Sequence, residues 1–317
     1  MRIAGCMIAV VALSVGILSS AQGAEGMSFQ DNDGKWLDVL CDGTPLLRFM
    51  TDYDPSTPQR RFETYKPFLH VYDGAQRLTN GPDGESQYIA DQIRYPHHRG
   101  IFIGWNKLAC AGKSYDLWHM PNVAQVHKGF VKTKAKGKAA ECVAIVFWND
   151  PEGQPLLVER RSITAQKLEA PAIVLLDFET ELIAIRGDVE LKGDPEHAGV
   201  QYRPHNDVAA GGPDVKAKYL FHAEGIDPHK DKDLPWVALS YGLAGKRYTV
   251  QHMNHPDNPK GTRYSAYRDY GRFGAFPVAT IRTDQPLTLR YRFRIARGDL
   301  PTRETLAAQY AELVSLP

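Results

Sequence analysis

Tyr95-Pro96-His97-His98-Arg99-Gly100 sets two imidazoles and a guanidinium between a proline and a glycine, just ahead of the apolar run Ile101, Phe102, Ile103, Gly104 and Trp105. An imidazole titrates near neutral pH and serves as general acid or base. A guanidinium holds hydroxyls, a carboxylate or a developing oxyanion. Pro96 disfavours helix at Tyr95, and Gly100 permits a sharp bend or a close backbone approach. The apolar run reads as a buried strand, so the basic tripeptide sits at a strand mouth, where rigid scaffolds display chemistry. Strand alternation sends His97 and His98 to opposite faces unless a bulge intervenes. The expectation is that His98 faces a cleft and His97 braces the loop.

Three further stretches carry reactive or binding side chains. In Ser114 to Met120, alternation groups Asp116 with Trp118 and Met120, and His119 with Tyr115 and Leu117. Trp105 or Trp118 would stack on a sugar face, although core packing explains a tryptophan equally well. In Asp194 to Asp207, Gln201 and Arg203 share one face and His205 follows that parity past Pro204. So many hydrogen-bonding groups between apolar strands need a partner when buried, and a polar substrate cavity supplies one. Gln201 and Asn206 would orient the ring. His255 lies in a loop of His-Pro and Asn-Pro turns, and Arg268 and Tyr270 alternate onto one face.

These residues give a candidate site. His98 or His205 is the acid or base; His97, Arg99, Trp105, Trp118, His119, Gln201, Arg203, Asn206, His255 and Arg268 bind substrate. A divalent metal, copper or iron, held by histidines such as His98, His119 and His205 is the rival reading, although their spacing has no geometry of its own. Carboxylates for a glycosidase pair exist in Asp177, Glu179, Glu181 and Glu196, but sequence does not give their separation. No nucleotide fingerprint, G-x-S-x-G elbow, zincin helix or EF-hand loop is present.

The elements that must position this site read as strand after strand. Lys35–Leu40 and Leu46–Met50 flank an Asp-Gly turn, and Ala124–Thr133 and Ala139–Phe147 form a hairpin across a lysine-rich turn at Gly137. Further strands follow to Leu287–Ile295. Thr302 to Val314 reads as a helix, with Leu306, Ala307, Tyr310, Leu313 and Val314 on one face. The fold class is therefore all-β: a large antiparallel β-sandwich with a C-terminal helix, expected as a single domain over residues 27–317.

Net charge is +1 over 317 residues, so nothing recommends nucleic acid as a partner. Met1-Arg2, the apolar stretch Ile3 to Leu18 and the small residues at Ala21-Gln22-Gly23 read as a signal peptide over residues 1–23, making the protein periplasmic or secreted. No later stretch approaches the ~20 apolar residues of a membrane helix, so no membrane insertion is expected after cleavage. Removal of Cys6 leaves Cys41, Cys110 and Cys142, enough for one disulfide at most.

Tyr65 to His70, His97 to Gly100, Asp194 to Asn206 and Arg268 to Gly271 together resemble the family catalogued as "methane oxygenase PmoA", common among exported bacterial proteins. A membrane methane monooxygenase subunit needs several spanning helices, so methane oxidation is not carried over. By analogy, the resemblance implies a sandwich similar to galactose-mutarotase-like folds, which host epimerases, lyases and glycosidases. Lyases of that fold use Asn, His, Tyr and Arg, with the tyrosine shuttling a proton. That implies a catalytic role for Tyr270. The expected function is an exported carbohydrate-active enzyme of hydrolase, lyase or epimerase type acting on a sugar or oxidised sugar. A metal-dependent oxidative enzyme and a non-catalytic glycan-binding protein are the alternatives.

Overall fold

Asp42 and Gly43 turn an early hairpin with φ of 50° and 75°, the left-handed pair that a two-residue turn between twisted strands requires. The strands they join, Trp36–Cys41 and Thr44–Met50, continue a chain of antiparallel pairings that opens with Met27–Asn32 against Trp36–Cys41. The computed structural model describes residues 26–315. The signal-peptide expectation falls on residues 1–23, outside the described residues.

The described residues form an all-β antiparallel sandwich closed by a C-terminal helix. One sheet runs Met27–Asn32, Trp36–Cys41, Thr44–Met50, Phe68–Asp73, Ile101–Trp105, Ala198–Tyr202, Phe273–Phe276 and Arg263–Ser265, with Gln76–Arg77 paired to Phe68–Asp73. The second runs Lys218–Phe221, Trp236–Leu243, Lys246–Asn254, Leu287–Arg297, Ala172–Ala184, Pro155–Lys167, Ala139–Asn149 and Ala124–Lys136. A small sheet of Ala279–Ile281, Val189–Leu191, Leu108–Cys110 and Lys113–Tyr115 lies beside them.

Alternation builds the core. Ala172–Ala184 buries every second residue from Val174 onward, sending Val174, Leu176, Phe178 and Leu182 into the same cluster as Ile101, Ile103, Val200 and Tyr202 of the first sheet. Polar links cross the same interior. Tyr202 and Tyr241 share a hydrogen bond of 2.7 Å between hydroxyls. Arg161, fully buried, donates to both carboxylate oxygens of buried Glu159 and to the Pro67 carbonyl of the facing sheet.

The expected C-terminal helix is Arg303–Val314, capped by Thr302, whose hydroxyl accepts from the Thr305 amide. Two short helices are absent from the strand-by-strand reading. Pro58–Thr64 starts behind a Thr57 cap and buries only Thr64, too little for an apolar period to register. Asn206–Ala210 begins directly after its cap His205 and the strand ends at Tyr202, so the parity that grouped His205 with Gln201 and Arg203 does not reach it. The three cysteines Cys41, Cys110 and Cys142 are free thiols.

Candidate functional site

The site is built on the face of Ile101–Trp105 turned away from the main core. Ile101, Ile103 and Trp105 enter the core, while Phe102 packs with Trp118, Met50 and Phe68 in a separate cluster. Gly104 shares the Phe102 face, and a Cβ there would run into the Leu117 carbonyl, so the turn carrying Trp118 and His119 lies directly on the sheet. Gly100, at φ 45°, passes the Leu69 carbonyl too closely for a side chain, as expected of a close backbone approach.

His97 and His98 are not on a strand. The chain turns at Tyr95, whose φ is 57°, and the His98 amide donates to the Tyr95 carbonyl at 3.0 Å. Alternation therefore does not apply, and the two rings lie side by side with centroids 4.1 Å apart. Their burial is the reverse of the expectation. His98 is buried, stacked on Tyr270 and edge-on to Trp118, with neither ring nitrogen hydrogen-bonded. His97 is the half-buried one and meets His119 at 4.7 Å.

His119 in turn meets His197 at 4.6 Å. Each of these two rings is held by the carboxylate three residues earlier. His119 Nδ1 lies 2.8 Å from Asp116 Oδ2, and the other Asp116 oxygen accepts from the Trp118 and His119 amides. His197 Nδ1 lies 3.0 Å from Asp194 Oδ1, while Asn106 Nδ2 donates to Asp194 Oδ2 at 2.7 Å. Burial works to raise the Asp116 carboxyl, but hydrogen bonds from His119 and Trp118 outweigh it and hold the group below its ordinary range. Asp194 is lowered in the same way by Asn106 and His197 against its burial. His197 is lowered by burial and by the neighbouring His119, with Asp194 opposing. His97 is pushed down to about 2, by burial first and then by Lys66, His119 and His197. His97 and His197, both neutral and partly exposed, thus sit beside a third ring fixed by Asp116.

Basic and aromatic groups close the cluster. Arg272, fully buried, lies 5.3 Å over the Trp118 ring and donates through Nη1 to Gln201 Oε1 at 2.8 Å. Arg268 donates to Ser265 Oγ and to the Glu196 carboxylate, which also accepts from the Tyr267 hydroxyl. Lys66, fully buried, donates to the Trp118 carbonyl at 2.8 Å and faces the Phe102 ring at 4.4 Å. Burial, then Arg99, holds its amine well below the usual range.

Several expected residues stand elsewhere or serve the scaffold. Arg99 is buried and donates to the carbonyls of Phe62, Glu63 and Pro96, so it clamps the preceding helix instead of facing a ligand. Trp105 lies in the core against Trp148, where its indole N–H reaches the Pro277 carbonyl. Arg203 is buried under the Tyr270 ring and bonds to the carbonyls of Pro204, Tyr270 and Arg94. His205 caps the helix Asn206–Ala210 by accepting from the Asp207 amide, which removes it from the imidazole cluster. Asn206 ties down the neighbouring loop through the Arg94 amide and the Gln92 carbonyl. His255 directly follows the strand Lys246–Asn254 of the second sheet, in a groove of about 660 Å³ with Asp177, Glu179, Arg290 and Arg292. His98, His119 and His205 therefore do not assemble as a metal site: one is under the aromatic rings and another is a helix cap. Among the described residues, no three His, Cys, Asp or Glu side chains are arranged to hold a metal ion.

The sequence reading omits Asp116, Asp194, His197, Lys66, Tyr267 and Arg272 from the site, and names Glu196 only as one carboxylate of a possible glycosidase pair. A signal for the first three was present. Asp116-Leu117-Trp118-His119 and Asp194-Pro195-Glu196-His197 repeat the spacing Asp-x-x-His, which brings carboxylate and imidazole together across one tight turn. Nothing in the sequence marked Lys66 or Arg272, whose roles depend on distant partners.

Several solved structures are similar at low identity. A GalM/aldose epimerase homologue from C. elegans aligns with 9% identity and a TM-score of 0.37 over 87% of this chain and 100% of that one. A candidate mutarotase from Salmonella typhimurium aligns with 11% identity and a TM-score of 0.38 over 89% of this chain and 97% of that one. A candidate kojibiose phosphorylase from the human microbiome aligns with 9% identity and a TM-score of 0.35, over 86% of this chain but 32% of that one. Likeness at this level carries no argument about activity. No curated protein matches. The resemblance to the PmoA family is overturned, because the family model that matches, over residues 36–311, is a family of unknown function. The chain belongs to that family, DUF6807.

Proposed function

We propose that this protein is an exported enzyme that moves protons on a carbohydrate, using the imidazoles of His97, His119 and His197. The observation that carries the reading is the contact between His119 and His197, each with Nδ1 engaged by its own aspartate. With Nδ1 engaged, each ring has one tautomer favoured and Nε2 left to take or give a proton. His197, held neutral, takes the proton from the substrate; His119, in contact with it, carries the proton back; and His97, whose protonated form burial disfavours most strongly, accepts a hydrogen bond from a substrate hydroxyl. Tyr267 and Arg268 bind substrate hydroxyls or charge, and the turn bearing Trp118 supplies the apolar floor. Hydrolysis, elimination and epimerisation of a sugar all share this proton-transfer step.

The test is turnover by the full chain on a panel of glycans and 3-keto-glycosides. Mass spectrometry reads cleavage or elimination, and NMR reads epimerisation, which leaves mass unchanged. Wild type is expected to form product, and His119→Ala and His197→Ala to lose about two orders of magnitude or more in rate. Calorimetric binding without any product overturns the enzyme reading and leaves a glycan-binding protein. Export is tested separately, by N-terminal sequencing of the protein from the periplasm or medium; an uncleaved Met1 overturns it.

A further inference from the structure

The side of the cluster formed by Tyr267, Arg268 and Arg272 has more donors than the chain has acceptors for. Arg272 is fully buried, yet its Nη2 has no hydrogen-bond partner, and the indole N–H of Trp118 beneath it has none either. The nearest carboxylate oxygen, Oε2 of Glu196, stands 3.9 Å from Arg272 Nη2. That same carboxylate accepts from Arg268 Nη2 and from the Tyr267 hydroxyl, while Arg268 Nη2 also lies 2.9 Å from Tyr267 Oη. Glu196 is half exposed at 50%, whereas the Arg272 side chain is at 0%. A buried guanidinium that is neutralised only at arm's length by a surface side chain is an unfavourable arrangement for a purely structural arginine. It is a favourable one for a site that takes an anion, because the remaining guanidinium N–H gives a carboxylate a charge-assisted hydrogen bond.

The geometry points to a carboxylate receptor made by Tyr267, Arg268 and Arg272, occupied in this structure by Glu196. This deepens the acid–base reading above and rests on it: the substrate is a sugar acid. Its carboxylate displaces Glu196, reaches Arg272 Nη2 and sets the sugar ring beside His119 and His197. Glu196 immediately precedes His197 in one turn, so displacement takes place next to the base itself.

Isothermal calorimetry on the full chain tests this, with D-glucuronate, D-galacturonate and short oligogalacturonides as probes. D-glucose, D-galactose and carboxyl-reduced oligomers are the neutral counterparts. Wild type is expected to bind acidic probes at least about tenfold more tightly than their counterparts. Glu196→Gln removes the internal competitor and is expected to tighten binding of acidic probes alone. Arg272→Lys keeps a charge but cannot both hold Gln201 and offer a second N–H, and is expected to weaken them about tenfold. Glu196 is at the surface, so its variant reports even where Arg272→Lys fails to fold. Equal binding of acidic and neutral probes, or weaker acid binding by Glu196→Gln, overturns the inference. The two readings separate cleanly. Turnover of neutral glycans that His119→Ala abolishes, with no preference for acids, sinks the receptor alone. Acid binding that follows Glu196 and Arg272, with no turnover of any glycan, sinks the acid–base reading alone.

Discussion

His119 and His197 touch at 4.6 Å although 77 residues intervene between them, and each ring carries its aspartate at the same i−3 position. The pairing makes the aspartates positioning residues. Asp116→Asn and Asp194→Asn are each expected to lower kcat by about tenfold to a hundredfold with little change in KM, as loss of a partner that orients a histidine does elsewhere. The double variant His119→Ala/His197→Ala is expected to fall no further than the worse single variant, because the rings act as one unit. A multiplicative loss in the double would show independent roles. Steady-state kinetics on the identified substrate provides both readouts.

Gly104→Ala tests how the turn bearing His119 is seated. The added methyl meets the Leu117 carbonyl, so the turn must lift from the sheet. Overpacking of this kind costs about 1–3 kcal/mol. Urea denaturation should show that loss, and activity should fall even at temperatures where the variant is fully folded. Wild-type activity in a folded variant would mean that the height of the turn does not matter.

Glu159 and Arg161 are buried together, and Glu159 also accepts from Trp148 Nε1 at 2.7 Å and Thr180 Oγ1 at 2.9 Å. Glu159→Ala leaves the Arg161 charge uncompensated inside the sandwich. The expected destabilisation is about 3–5 kcal/mol, measured by denaturant unfolding. A change below about 1 kcal/mol would indicate that water or another group reaches Arg161.

Acid should destabilise the fold through its buried histidines. Burial, then Arg272 and His97, holds His98 well below its ordinary value, and burial holds His252 at about 3. Unfolding returns both to about 6.5, so below that pH the unfolded chain binds more protons than the folded one. The stability they contribute is present above about pH 6.5 and is lost as pH falls towards the folded values. Each such imidazole removes about 1.4 kcal/mol per pH unit below that point. The denaturation midpoint is expected to drop between pH 7 and pH 5, less steeply in His98→Phe than in wild type. His98→Phe itself should cost little at pH 7, since neither ring nitrogen has a partner to lose. A midpoint constant across that range would contradict the account.

The chain by itself determined the strands, the Asp-Gly hairpin, the capped C-terminal helix and hence the all-β antiparallel class. These follow from period-two burial, turn chemistry and a Thr cap, all of which act over a few residues. It also carried the paired Asp-x-x-His spacing, a local turn whose partners are three residues apart. The choice between His97 and His98 lay beyond it, because the left-handed turn at Tyr95 replaces the strand alternation that a run of apolar residues suggests. So did the retirement of Arg99, Arg203 and Trp105 to the scaffold, since the carbonyls and rings that engage them come from distant stretches. Arg272 became a candidate binding residue for the same reason. Its significance is an unpaired nitrogen beneath Glu196, a matter of three-dimensional donor and acceptor balance that no one-dimensional spacing encodes.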